Sequence, residues 1–248
     1  MQDLNSKGWL KAYDSFFYCF TFRSNGYMCI YHYFANPLSS LSFISHNKRG
    51  KKHKIAITFD DGPHPVYTPK ILDLFKLHGM KATFFIVGEL GEKHPSILNR
   101  MIDEGHEVAI HHHRHVSAWT QTPWQLKRQI HQCAQVIEKV TNQKPLFYRP
   151  PWGHLNMSSL SMAKPYYLVI WTGIFQDWTL KTTKTALVQK LMRKVEDGAI
   201  FVLHDNGDTP GADEKAPEMT IAALEEFLPY LKQQGYESIT MQQLMNQS

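Results

Sequence analysis

Several short polar clusters in this chain combine residue types that hold cations or move protons. Thr58-Phe-Asp-Asp-Gly-Pro63 sets two carboxylates side by side. Adjacent carboxylates repel, so burying both costs stability unless a cation or a proton offsets their charge. Asp-Gly-Pro is also ordinary solvated-turn chemistry, and in isolation it implies nothing more. The run His111-His-His-Arg-His115 shifts that balance. His111 and His115 stand at i and i+4, a spacing that brings two imidazoles together on one helical face. Two histidines and one carboxylate, Asp61 or Asp60, leave open coordination positions, as in a catalytic rather than a structural zinc site. His112 and His113 read as polar packing or as surface histidines with adventitious metal affinity. Arg149-Pro-Pro-Trp-Gly153, Asp177-Trp178 and Leu203-His204-Asp205 add a guanidinium, further carboxylates and another imidazole.

These clusters need elements that bring them together. From Lys54 onward, short β-branched or aromatic runs alternate with longer amphipathic patterns. Strands are expected at Ile55–Phe59, Ala82–Val87, Glu107–His111, Leu146–Arg149, Tyr167–Thr172, Ala199–His204 and Glu237–Thr240. Helical spacing marks Thr68–His78, Thr122–Thr141, Leu187–Val195 and Pro217–Lys232. Strands each followed by a helix or loop imply parallel pairing, in an open doubly wound sheet or a barrel. Each polar cluster then falls at or just beyond the C-terminal end of a strand. In parallel α/β barrels that edge carries the active site, because the βα loops converge there.

The ordered set T-F-D-D-G-P, G-H-E followed by H-x-x-x-H, R-P-P-x-G, D-W and L-H-D, from Thr58 to Asp205, resembles the NodB-homology domain of the polysaccharide deacetylases, carbohydrate esterase family 4. The resemblance runs from about Lys51 to the C-terminus. It implies a distorted (β/α) barrel of about seven parallel strands. It also implies one divalent metal, usually zinc and sometimes cobalt, and removal of acetyl groups from N-acetylated sugars in a glycan. Carried over by position, it makes Asp61, His111 and His115 the metal ligands. Asp60 becomes the general base, with Arg149 paired to it, and His204 the general acid held by Asp177. The backbone N–H of Trp152 would face the oxyanion, while Trp178, Leu203, Pro150 and Pro151 would line the substrate site. The chain departs from the family pattern where His112 replaces a hydroxyl residue, Ile110 an asparagine and Ile174 an aspartate. Those positions bear on groove and metal preference rather than on the reaction class.

Composition excludes other classes. The chain has 248 residues, 43% hydrophobic and 20% charged, which is globular rather than fibrous or disordered. A net charge of +5 and one basic stretch, residues 46–54, are too little for a nucleic-acid binder without a recognisable fold for it. The three cysteines, Cys19, Cys29 and Cys133, form no C-x-x-C pair and no complete disulfide framework. No apolar run reaches transmembrane length, and Met1 to Asp14 lacks the charged and apolar regions of a signal peptide. The expected location is therefore cytoplasmic or peripheral to the membrane. Residues 1–53 form an aromatic-rich segment with a basic link, followed by a catalytic domain at 54–248. That segment reads as a cap on the domain or as a peripheral membrane contact. Two further readings are a deacylase or deformylase of a lipid-linked sugar, and a catalytically silent domain that binds metal and sugar. Retention of both Asp60 and His204 weighs against the silent domain.

Overall fold

The structure, a computed structural model, describes residues 53–246 throughout, and before them the strands β1 (Tyr18–Ser24), β2 (Tyr27–Tyr33) and β3 (Phe43–Ile44). The rest of residues 1–53, including most of the expected N-terminal segment, lies outside the described residues. Contacts divide the chain into units at Met1–Leu41 and Ser42–Ser248. The described part of the first is an antiparallel hairpin in which β1 pairs with β2, Cys19 opposing His32 and Phe22 opposing Cys29.

The second unit continues with β4 (Lys54–Asp60), α1 (Tyr67–His78), β5 (Ala82–Ile86), α2 (Gly88–Lys93), α3 (Pro95–Asp103) and β6 (Glu107–Ile110). Then come α4 (Pro123–Thr141), β7 (Phe147–Tyr148), α5 (Met157–Met162), β8 (Tyr167–Val169), β9 (Gly173–Ile174) and α6 (Lys184–Arg193). The chain closes with β10 (Ile200–His204), α7 (Ala216–Gln233), β11 (Glu237–Ser238) and α8 (Met241–Asn246). The strand order is β3-β8-β7-β6-β5-β4-β10-β9, with β11 paired to the start of β4 and every pair parallel. This is the expected parallel α/β barrel in a curled, incompletely closed form. Short β9 and the helices α2, α3, α5 and α8 are additions to the elements anticipated from sequence.

Strand alternation sorts the residues of β4. Ile55, Ile57 and Phe59 face the helices, where the Phe59 ring meets Phe75 of α1 edge-on at 5.6 Å. Ala56, Thr58 and Asp60 face inward. At the lower level Ala56 joins Phe85, Ala109, Phe147, Val169 and Ile200 in a core closed from below by Met241 and Leu244 of α8. The interior is thus packed with side chains, and only its upper rim is left for polar groups. Local signals end the helices cleanly. Gly79 closes α1 at φ 68°, and Thr122 opens α4 in a capping box with Gln125. Such a cap stabilises by about 1 kcal/mol.

Candidate active site

The register of the sheet brings the chemistry together. Asp60 ends β4 beside Phe85 on β5 and beside His204 on β10. Alternation would send Asp61 to the opposite face, but Asp61 adopts φ 80° and turns its carboxylate back to the same rim. The left-handed region is unfavourable for most side chains and best tolerated by Asn and Asp. Both carboxylates are almost fully buried. Gly62 follows because the Asp205 carboxylate occupies the space that a Cβ would need there.

His111 continues the inward alternation of β6, and its Nδ1 lies 2.8 Å from the Arg149 carbonyl oxygen. A carbonyl only accepts, so Nδ1 carries a proton, and Nε2 is the ring nitrogen left to face the rim. Nε2 of His111 and of His115 lie 3.3 and 3.1 Å from Asp61 Oδ1. The pair does not come from a helix: residues 111–117 are a loop, corrected from the helical-face expectation. His112 supplies the reason, with φ 66° and a buried ring between Tyr148 Oη at 2.8 Å and the Val116 carbonyl oxygen at 3.0 Å. It packs as a polar core residue, and burial lowers its pKa to about 3. Donor atoms of Asp61, His111 and His115 all lie within 4.8 Å of one another, and among the described residues this is the cluster with metal-ligating geometry. Burial pushes the Asp61 carboxyl up, yet hydrogen bonds from His111 and His115, with the charge of His115 and of His204, carry it well below the usual carboxylate range. One ionised carboxylate and two imidazoles fit a divalent ion of the zinc type.

Asp60 is held differently. Its Oδ1 accepts from Arg149 Nη1 at 2.6 Å, leaving Oδ2 4.0 Å from His111 Nε2. Arg149 is fully buried, lies 4.0 Å over the Phe85 ring, and donates also to Thr58 Oγ1 at 2.8 Å. Burial lowers the guanidinium's pKa, while the charge and hydrogen bond of Asp60 oppose that shift. Removing either partner would strand a buried charge.

Opposite stands His204, whose Nδ1 lies 2.9 Å from Asp177 Oδ1. Asp177 Oδ2 accepts from the His204 backbone N–H at 2.8 Å and from Thr220 Oγ1 at 3.1 Å, which fixes the carboxylate plane. Burial pulls the His204 imidazole down, but the Asp177 carboxylate, with Asp61 and Asp60 beyond it, raises it to about 9. It is therefore an imidazolium at neutral pH, with Nε2–H free of that pair.

The remaining expected residues separate. Trp178 meets His204 edge-on at 5.3 Å, and Trp152, at φ 55°, meets His115 at 4.2 Å. Pro150 and Pro151 are buried in the turn after β7. Leu203 is corrected: alternation along β10 puts it with Phe201 on the helix-facing side, and Val202 shares the face of His204. Sequence reading missed Thr209, whose hydroxyl donates to Asp61 Oδ2 at 2.6 Å, and Thr220 at Asp177. A lone threonine in a loop or helix carries no signal of such a role. Thr209→Val is expected to weaken metal binding about 10–100-fold in a metal-buffered titration, because partners behind a ligand set its orientation and basicity.

Comparison with known proteins places the fold in a family. A polysaccharide deacetylase family model matches residues 47–169. A peptidoglycan-N-acetylglucosamine deacetylase of Bacillus cereus is 34% identical over 195 residues, covering 77% of this chain and 87% of the relative. The peptidoglycan-N-acetylmuramic acid deacetylase PdaA of Bacillus subtilis is 32% identical over 204 residues, covering 79% and 72%. The solved structure of the peptidoglycan deacetylase PdaC from B. subtilis superposes with a TM-score of 0.71 at 30% identity, covering 81% of this chain and 93% of that one. Fold and relatives define a carbon–nitrogen hydrolase of the metal-dependent, sugar-deacetylating class. The chain belongs to the polysaccharide deacetylase family.

Proposed function

We propose that the chain deacetylates N-acetylated amino sugars of peptidoglycan, with Asp61, His111 and His115 holding one divalent ion, zinc or alternatively cobalt. What carries this reading is the convergence on one rim of a cation-ready cluster, an Arg149-bound carboxylate and an Asp177-bound imidazolium. A divalent ion in that cluster supplies Lewis acidity towards an amide carbonyl and makes water more acidic. The other roles belong to the chain. Asp60, oriented through Oδ1 by Arg149, takes the proton of the attacking water on Oδ2. His204 gives its Nε2 proton to the departing sugar amine, and Asp177 stabilises and aims the imidazolium. Trp152 supplies a backbone N–H to the developing oxyanion, and Trp178 walls the acetyl pocket beside His204. The relatives' names support the glycan, and the donor set supports the ion.

The proposed organisation is an N-terminal segment at 1–53, offering peripheral membrane contact, and a catalytic domain at 54–248. Among the described residues no helix is long and apolar enough to cross a membrane. Against the cytoplasmic expectation from sequence, a peptidoglycan substrate supports work on the wall side of the cell membrane. The deciding experiment measures acetate release by the zinc-loaded protein from peptidoglycan and from N-acetylglucosamine oligomers, with Asp60→Asn as the blank. Release from peptidoglycan that is absent in the blank is the expected result. Release from neither substrate would overturn the assignment and favour a lipid-linked or formylated sugar.

A further inference from the structure

Outward from the proposed metal cluster, rings follow one another along the rim. Trp152 lies 4.2 Å from His115, His154 lies 5.7 Å from Trp152, and Trp119 stacks on His154 at 3.7 Å with 7° between the planes. Trp152 and Trp119 nevertheless remain 43% and 48% exposed. An exposed tryptophan normally keeps its rotameric freedom, but Trp119 does not. Its Nε1 donates to the Leu155 carbonyl at 3.0 Å, and its backbone N–H donates to Ser117 Oγ at 3.1 Å. Ser117 Oγ also lies 2.8 Å from His154 Nδ1, so one hydroxyl ties together the loop after the His111–His115 run and the turn after β7. Asn156 Nδ2 adds a bond to the Ala118 carbonyl at 2.7 Å. Together these bonds hold a large aromatic surface rigid, half in water, with no core to fill.

We propose that Trp119, backed by His154, is a sugar-binding platform for a residue of the glycan next to the one being deacetylated. This rests on the deacetylase reading above, because continuity of the rings with His115 is what names the occupant. A pyranose presents an apolar C–H face to an aromatic ring and polar hydroxyls to water. A pre-immobilised, half-exposed indole matches that pattern without a new ordering cost. The platform belongs to a polymer rather than to a single sugar. Its contribution therefore appears only once the substrate is long enough to reach from the reacting unit across Trp152 and His154.

Calorimetric titration with N-acetylglucosamine oligomers, from dimer to hexamer, tests this on the native protein, Trp119→Ala and Trp119→Phe. Trp119→Ala should bind the hexamer about tenfold more weakly, equivalent to about 1.4 kcal/mol, and the dimer almost unchanged. Trp119→Phe should recover most of the loss. Trp124 is also exposed, with Lys127 5.8 Å from its ring, so Trp124→Ala controls for loss of any surface indole and should bind both oligomers as the native protein does. Equal affinity of native protein and Trp119→Ala for the hexamer, or no binding by the native protein, overturns the platform. Acetate release from the dimer in the same preparations is a separate readout. A platform that fails while the dimer is still deacetylated leaves the deacetylase reading intact.

Discussion

Asp60→Asn lowers kcat by about 10²–10⁴-fold while the protein still takes up its metal, and His115→Ala loses metal and turnover together. The split follows from the two environments of adjacent carboxylates. Asp61 faces the two imidazoles, with its second oxygen occupied by Thr209. Asp60 is bound on one oxygen by Arg149 and keeps the other towards the cavity. An amide at position 60 preserves size and accepts the Arg149 hydrogen bond but cannot take a proton, and general-base catalysis contributes about this range of rate. Metal analysis and steady-state kinetics on the two variants check the division. Full turnover in Asp60→Asn, or native metal content in His115→Ala, would break the corresponding assignment.

The second large effect is on the alkaline side of the pH profile. His204 is held at about 9, above an ordinary value of 6.5, by the Asp177 carboxylate against the pull of burial. As a proton donor it stays charged through neutral pH and loses activity as pH rises through about 9. Asp177→Asn removes the largest raising charge and leaves the burial, so the alkaline limb should move to lower pH, and activity at pH 8 should fall by about 10-fold. The same shift has a stability consequence. A histidine whose pKa is raised on folding contributes fully below about 6.5, and that contribution fades as pH rises through about 9. Native protein should therefore lose thermal stability between those values, and Asp177→Asn should show a flatter dependence. Profiles of kcat and of melting temperature against pH measure both, and an unmoved alkaline limb in Asp177→Asn would remove His204 from the role.

Much of this was legible in the residues. The apolar strand β4 ending in Asp60-Asp61, and the repeated placement of polar clusters after β6, β7 and β10, locate the rim without coordinates. The four long helices were also readable from their periodicity. The less legible parts have physical reasons. Residues 88–103 hide two helices because His94-Pro95 interrupts the pattern before either period is established. Strand β9 has two residues, too few for any alternation to register. The helical spacing of His111 and His115 was real as arithmetic but arises from a loop around buried His112. Leu203 was misplaced by one position, and in a strand one position is the other face. The hydroxyls of Thr209 and Thr220 matter only because distant segments are folded against them.

The order of the sheet has a consequence for how the site comes into being. Asp61, His111 and His115 lie within one continuous stretch of chain, spanned by the sequential neighbours β4, β5 and β6. His204 reaches Asp60 only through the pairing of β10 with β4, across most of the domain. Closing long loops costs entropy before any contact rewards it, so distant pairings tend to come late. A chain emerging from the ribosome thus makes the three proposed ligands before either the proposed proton donor or Thr209, the hydroxyl behind Asp61, exists. The donor set belongs to the first half of the sheet, and its support and its reactivity arrive together with the closure at β10.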